Sequence, residues 1–508
     1  MRGNGTKYLM SAFSGLMLVF TFAPYGLFGL AWVALVPFFL SIEEMPASAA
    51  AKAGFTMGFF YFFGTTYWIY HSMHDYGGMG LVTSLAIVIA LASYLSLYTA
   101  AFALLYTAKI RHTKAPALLV APVLWVSLEY LRSYFLTGFP WSTLGYSQWN
   151  FLRVIQIADI TGVYGISFLL VAVNAAVADF FLIKRRMKRM PLYPLSYVVT
   201  GYICLAGLLA ATFLYGSFRL KQIRPGHPLK VSIVQGDIDQ SEKWDQRYEN
   251  QVFSIYKNLT TGAIDQTPNL IVWPESSLPF AFNDQEPAVK ELENIQGASH
   301  IPVLIGAMRQ RSSGNFSNSA VLIAGGRPAY FYDKIHLVPF GEYVPLKKVL
   351  FFVNKLSDAI GDFEPGDDYT QGGIGHDRFA TLICYEMAFP GLVRKFFRTG
   401  GDFMVTITND AWFGRSTGPY QNWSMAALRA VENRKPVIRA ANSGISGFFT
   451  SSGAVIEHTG LFERRTVTAT VMTDSTITFY TRFGDLFSYL SILTALFMLI
   501  FSDEKNSF

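Results

Sequence analysis

Cys384 is one of only two cysteines in 508 residues, and it ends the apolar run "FATLIC". A lone thiol of this kind has two uses. It packs as a small hydrophobe, or its thiolate attacks a carbonyl carbon and carries an acyl group as a thioester. The second use needs a proton acceptor and a positive charge close by, and two other β-like runs lead to such groups. Glu275 follows "LIVWP", and Lys334 lies in "AYFYDKIHL". Three such groups at the ends of three strands can converge, because functional side chains of layered α/β domains gather where strands end. Cys384 would then be the nucleophile and Glu275 its base. Lys334 would favour the thiolate and donate to the oxyanion of the tetrahedral intermediate. The plainer alternatives are a buried structural cysteine, an acid favoured by a helix N-terminus and a solvated strand-end lysine.

The elements that must position these residues begin at Leu229. Short β-rich runs follow one another: "LKVSIVQG", "NLIVWPES", "PVLIGAM", "SAVLIAGG", "AYFYDKIHL", "FATLICYE", "FMVTITND", "VIRAANSG", "SGFFTSSG" and "TVTATVM". Helical patterns at 242–263, 285–297 and 419–434 fall between several of them. The alternation predicts an α/β domain over 228–472 whose sheets are covered by helices.

The rest of the chain is of another kind. Over all 508 residues only 15% are charged, 51% are apolar, and the mean hydropathy is +0.30, which together imply a membrane. Counting apolar runs near the ~20 residues a bilayer requires gives about seven spans, at 8–23, 25–42, 54–73, 80–108, 115–133, 162–183 and 195–216. An eighth lies at 484–501. The expected organisation is a membrane domain over 1–218, the globule over 228–472 and a C-terminal transmembrane helix at 484–501. The start, "MRGNGTKYLMSAF", resembles that of a signal peptide, but no small-residue cleavage pattern ends its apolar run, so it is expected to be retained.

Lys and Arg distribution gives the orientation. Arg2 and Lys7 precede the first run, Lys109, Arg111 and Lys114 follow the fourth, and "KRRMKR" (184–189) follows the sixth, whereas "HSMHDYGGM" (71–79) has neither residue. The N-terminus is thus expected inside and the globule outside. The net charge of +6 resides mostly in the inside loops, so nucleic acid is not an expected partner. Cys204 sits in the seventh apolar run, too far from Cys384 to pair with it, which leaves no disulfide framework. Glu129 and Arg132, at i and i+3 in the fifth run, are expected to pair and to brace the "GFPW" loop. No acidic ladder runs through the spans, which weighs against an ion-coupled transporter.

Four motifs in order, "WPESSLPF" (273–280), "YDKIHLVPFGEYVP" (332–345), "ICYEMAFPGLVR" (383–394) and "TNDAWFG" (408–414), resemble the nitrilase superfamily and, more closely, the apolipoprotein N-acyltransferase family of bacterial inner membranes. "GFPWSTLGYSQ" (138–148) and "QGDIDQSEKW" (235–244) also resemble motifs of that family, so the similarity spans nearly the whole chain. The resemblance implies a multi-span α-helical membrane domain plus an α/β nitrilase-like domain, an αββα layered sandwich facing the periplasm. It implies a phospholipid acyl donor, a diacylated apolipoprotein acceptor, a lipid bilayer around a monomer, and neither cofactor nor metal. Among the residues it makes Glu275, Lys334 and Cys384 catalytic and Glu342 a second glutamate orienting Lys334. Tyr385 and Glu386 would shape the pocket, the Tyr385 N–H as a second oxyanion donor. Trp244 and Trp412 would meet substrate. Plainer roles remain for these: a turn residue for Glu342, structure for Glu386, packing for Trp244.

Two positions depart from the family pattern. Arg415 stands where an acidic residue is expected, and "AANSG" (440–444) replaces the commoner "TNNG". Between the lysine and cysteine motifs, 345–366 alternates apolar residues with Lys347, Lys348 and Lys355 and reads as an arm lying on the membrane surface or packed on the domain. A second mobile loop is expected at 411–421. Two further activities stay open: a membrane-tethered amidase that passes the acyl group to water, and a transporter or receptor with an inert nitrilase-like domain.

Overall fold

The computed structural model describes residues 4–109, 117–189, 195–222, 226–243, 245–343 and 363–501. The chain divides into two compact units. One comprises Met1–Tyr67, Leu85–Gln222 and Phe483–Phe508, the other Trp68–Ser84 and Ile223–Arg482.

The first unit is helical, because apolar, charge-free runs satisfy their backbone groups internally only as helices once they leave water. Its helices include Asn4–Val19, Val36–Ile42, Ala47–Thr66, Ala117–Arg132, Val163–Arg189, Leu195–Lys221, Leu486–Phe501 and most of Leu81–Ala108. Among the described residues, three segments are long and apolar enough to cross a membrane: Leu81–Ala108, Val163–Ile183 and Val198–Lys221. Phe28–Ile42 and Leu486–Phe501 are apolar but shorter. Leu97, Phe180, Leu214 and Ile500 lie exposed on these helices, as side chains facing lipid would. Where helices cross, small residues set the distance: a Cβ at Gly54 would lie 2.4 Å from the Thr99 carbonyl oxygen, and one at Gly58 2.0 Å from its hydroxyl. Glu129 and Arg132 both reach the loop that follows their helix. Leu144 N–H donates to Glu129 at 2.8 Å, and Arg132 donates to the carbonyls of Phe139 and Trp141 at 3.1 and 2.6 Å.

The second unit contains all ten expected strands and three short ones. They are β1 (Pro228–Gln235), β2 (Leu270–Val272), β3 (Ala281–Phe282), β4 (Val303–Gln310), β5 (Phe316–Ala324), β6 (Arg327–Asp333), β7 (Gln371–Ile374), β8 (Asp377–Ile383), β9 (Phe403–Thr408), β10 (Val437–Ala441), β11 (Gly447–Phe449), β12 (Val455–His458) and β13 (Arg465–Met472). The unexpected β3, β7 and β12 have two to four residues, too short for a period-2 pattern.

One sheet runs β13-β1-β2-β4-β5-β6 with β3 on β4, and the other runs β12-β11-β10-β9-β8-β7. Strands β1, β2 and β4 are mutually parallel, as are β8, β9 and β10, so each sheet has a parallel centre whose strand ends point one way. Helices Glu249–Ile264 and Pro287–Ser299 cover the first sheet. Val252, Tyr256, Val289 and Leu292 share a core with Val234, Trp273 and Ile305 there, each large apolar side chain contributing about 1.5–3 kcal/mol. Pro390–Phe397 and Gly418–Asn433 serve the second sheet, and Tyr330 of β6 meets Phe379 of β8 between the sheets, with ring centroids 5.7 Å apart. The helix expected from 242 begins at Glu249 instead, because the Asp245 side chain accepts from Arg247 N and starts a 3-10 turn.

Candidate active site

Strand β8 ends at Ile383, and the chain then turns sharply through Cys384–Ala388 into the helix Pro390–Phe397, with Pro390 in the first turn where a missing N–H costs nothing. Cys384 stands at the bend with φ +52°, a left-handed conformation that a non-glycine residue adopts at some cost. The turn ends the strand, and Cys384 as a residue is only partly covered there.

Glu275 comes three residues after β2. A Cβ at Gly306 of β4 would lie 2.6 Å from the Glu275 Cα, so only glycine lets the loop settle there. The Glu275 carboxylate is held by three donors: Asn409 N at 2.7 Å on Oε2, and Asn318 Nδ2 at 2.7 Å and Lys334 Nζ at 3.4 Å on Oε1. Lys334 directly follows β6, and its ammonium also donates to Glu342 Oε1 at 2.9 Å. Asn318 Nδ2 bridges to the same Glu342 oxygen at 2.8 Å, and Val338 N–H holds the other at 2.8 Å. Glu275, Lys334 and Glu342 thus form one buried network, and Glu275 and Lys334 both act electrostatically on the Cys384 sulfur.

Burial works against the Lys334 charge, but Glu342 and Glu275 outweigh it and hold the ammonium well above its ordinary range. Burial first and then the Glu275 carboxylate push the Cys384 thiol up to about 12, while Lys334 opposes them. The resting site therefore holds a thiol, a carboxylate network and a fixed ammonium. Such a thiol must hand its proton to a base at the moment of attack.

Glu386 is fully buried and joins the lysine loop to the cysteine turn. Its carboxylate accepts from Ile383 N at 2.7 Å, Ile335 N at 2.7 Å, His336 N at 3.1 Å and the Tyr332 hydroxyl at 2.8 Å. Burial raises this acid to about 7, against those donors. Glu386→Gln is expected to leave some of these donors unpaired at about 1–3 kcal/mol each. Thermal unfolding of the variant should show a midpoint lower by several degrees.

The Tyr385 ring packs on Phe389 and His336, with centroids 4.9 and 5.7 Å away. His336 is driven down to about 4 by burial and then by Lys334, which leaves the imidazole neutral. Trp412 lies in the turn after β9. Its carbonyl accepts from the Ser72 hydroxyl at 2.8 Å, and its ring is 6.1 Å from Tyr76. Trp68 meets Phe413 at 4.5 Å, so the 411–421 loop packs on the 68–76 segment of its own unit. Trp244 and most of the 345–366 arm lie outside the described residues. Arg415 sits 4.4 Å over the Phe462 ring. Within "AANSG", the Asn442 side chain ties Ile238 N at 2.9 Å and Asn409 Oδ1 at 3.1 Å, indirectly bracing the Glu275 contact.

Three participants escaped sequence reasoning. Asn318 and Asn409 are single amides, ordinary in any strand end, although the buried polar run Ser317–Asn318–Ser319 in an apolar strand was a signal. Lys243 donates to the Glu275 carbonyl oxygen at 3.0 Å and is pushed down to about 8 by burial, with Glu275 and Cys384 opposing. Only its place inside the quoted 235–244 motif set it apart.

Residues 14–176 match the apolipoprotein N-acyltransferase N-terminal domain, and residues 230–479 match the carbon-nitrogen hydrolase domain. The apolipoprotein N-acyltransferase of Geobacter metallireducens is 40% identical over 494 residues, covering 96% of this chain and 94% of that protein. That of Haemophilus influenzae is 34% identical over 510 residues, covering 97% and 94%. Among solved structures, an amidase from Nesterenkonia sp. aligns with a TM-score of 0.38 at 18% identity, over 50% of this chain and 93% of its own. Saccharomyces cerevisiae Nit3, of the nitrilase superfamily, aligns at 0.38 and 19%, over 49% and 92%.

Proposed function

The chain belongs to the apolipoprotein N-acyltransferase family, and from that premise we propose that it moves an acyl chain from a phospholipid to Cys384, and from there to the α-amino group of the diacylglyceryl-cysteine of an apolipoprotein. In the first half-reaction Glu275 accepts the thiol proton while sulfur attacks the ester carbonyl. Lys334 and the Tyr385 backbone N–H stabilise the oxyanion. The ester C–O bond breaks, the lysophospholipid oxygen takes the proton from Glu275, and the acyl group stays on sulfur. In the second, the acceptor amine attacks the thioester carbon and gives its proton to Glu275. The C–S bond then breaks and sulfur recovers the proton. Glu342 keeps Lys334 charged and aimed, Glu386 keeps the two loops in register, and Trp412 and Trp244 are assigned to substrate binding.

One observation carries this reading. Glu275 and Lys334, from the ends of β2 and β6, are 3.4 Å apart and both act on the thiol at the end of β8. An inert domain would have no need of that convergence.

The chain is a membrane protein. We further infer that it crosses a bacterial inner membrane about seven times before the catalytic domain and once after it, with that domain on the periplasmic side, and that it works as a monomer. The Lys and Arg distribution supports this orientation. Both substrates are then lipids presented at one bilayer surface, which concentrates them and limits water at the thioester.

Mass spectrometry of the protein after exposure to phospholipid should find an acyl adduct on Cys384 that disappears when a diacylated lipopeptide is added, with the acyl group recovered on the peptide nitrogen. Loss of the adduct to water at the same rate, with no N-acylated peptide, would assign the chain to hydrolysis instead.

A further inference from the structure

Two carboxylates and two donor nitrogens meet at the centre of the site. Lys334 Nζ donates to Glu342 Oε1 at 2.9 Å and to Glu275 Oε1 at 3.4 Å, and Asn318 Nδ2 donates to the same two oxygens at 2.8 and 2.7 Å. Asn318 is 5% exposed in β5, and its main-chain carbonyl accepts from Lys334 N–H at 2.8 Å, which sets the amide beside the ammonium. Its neighbours fix which way the amide points. Only the nitrogen end has protons to give to two carboxylate oxygens, and Oδ1 is left buried with no hydrogen-bond partner among the described residues. A buried acceptor left so is destabilising, and the fold accepts that to place both N–H bonds between the carboxylates.

Charge decides what the amide prevents. Glu275 and Glu342 share a single ammonium, so the group carries one negative charge in excess. Carboxylates that share a site ordinarily hold one proton between them, and a proton held on Glu275 would remove the base. The other ionisable groups nearby do not relieve this. Lys243, in the segment after β1, donates to the Glu275 carbonyl oxygen at 3.0 Å and not to its carboxylate. Cys384 after β8 rests as a thiol, and His336 is neutral. Asp410 after β9 is paired with Arg439 at 2.6 Å, and Glu386 is held by Tyr332 and three backbone N–H groups.

We propose that Asn318 is a positioning residue whose amide takes the place of a shared proton. Its two N–H bonds satisfy Glu275 Oε1 and Glu342 Oε1 with no proton to transfer, so both carboxylates stay ionised and Glu275 remains a base. Oε1 of Glu275 is then filled by Asn318 and Lys334, whereas Oε2 accepts from Asn409 N–H alone among the described residues and keeps a lone pair for the Cys384 proton.

The inference rests on the acyl-transfer reading for its meaning, but its test needs neither lipid. In full-length protein with Cys204 changed to serine, p-nitrophenyl acetate acylates Cys384, and the nitrophenol released in the first turnover is followed against pH. Asn318→Leu removes both N–H bonds and lets the carboxylates share a proton. The rising limb of its profile should move up by about one pH unit, which makes the rate about tenfold lower than the parent's on the acid side, and the gap should close at higher pH. Adding Glu342→Gln removes the second carboxylate, so the limb should return to the parent's pH while the plateau stays lower. An asparagine with a merely structural role would lower the plateau and leave the limb in place. An Asn318→Leu limb at the parent's pH, or a displaced limb that Glu342→Gln fails to restore, would overturn the inference. Should Asn318→Leu not fold, Asn318→Asp, which has the same shape and cannot donate when ionised, decides: a limb at the parent's pH overturns the inference. A base held ready must activate the thiol, so a parent inert to the ester overturns it as well. Failure of phospholipid to acylate a Cys384 that reacts with the ester would strike the acyl-transfer reading alone.

Discussion

Cys384→Ser is expected to abolish the acyl adduct and to lower acyl transfer by about 10³–10⁶-fold, the range seen when a covalent nucleophile is removed. The reason lies in the ionisation of the residue. The thiol is already pushed up to about 12 by burial and Glu275, so attack works only because sulfur is soft and Glu275 stands ready. A hydroxyl in the same place is a harder acid and a poorer nucleophile. The fold should survive, since neither the Glu275–Lys334 contact at 3.4 Å nor the Lys334–Glu342 contact at 2.9 Å uses the sulfur. Cys384→Gly should be equally inactive yet at least as stable as Cys384→Ala, because φ +52° suits glycine better than alanine. Thermal unfolding beside mass spectrometry of the adduct checks both halves. Substantial transfer by the alanine variant would remove Cys384 from the mechanism.

Glu275→Gln is expected to move two measurements in opposite directions. Without a base, acylation of Cys384 should fall by about 10²–10⁴-fold. The same substitution removes a negative charge that raises the thiol pKa, so the thiol should ionise below the parent's value of about 12. Titration of thiolate absorbance in a Cys204→Ser background reads the second effect and rapid-quench acylation the first. A misfolded variant would also ionise lower, since burial is the main cause of the raised thiol, so a thermal unfolding transition like the parent's must accompany the shift. A thiol that ionises at higher pH in the variant would refute the electrostatic account. Lys334 should keep its charge through Glu342, which makes the test specific to the base.

Much of the catalytic domain was legible because its signals are local. Ten apolar, β-branched runs bounded by Gly, Pro, Asn and Asp became ten strands, and Cys384 and Lys334 were expected at strand ends and lie there. Boundaries slipped where a side chain outcompeted the periodic pattern, as when Asp245 capped a 3-10 turn and delayed the helix to Glu249. The helix Pro390–Phe397 was missed because eight residues carry little periodicity, although Pro390 marked its start.

The sequence by itself determined which residues could do chemistry, since a thiol, a carboxylate and an ammonium are chosen by type, and it divided the chain by hydropathy into apolar helices and an α/β unit. Tertiary structure alone decided how those groups are charged and held. The rise of Cys384 to about 12, the Lys334 ammonium locked by two carboxylates and the Glu386 carboxylate joining two loops all depend on which atoms lose water and which face one another across strands far apart in sequence. Desolvation and Coulomb forces act through space, so Asn318, Asn409 and Lys243, unremarkable as letters, acquired their places only when β2, β5, β6, β8 and β9 came together.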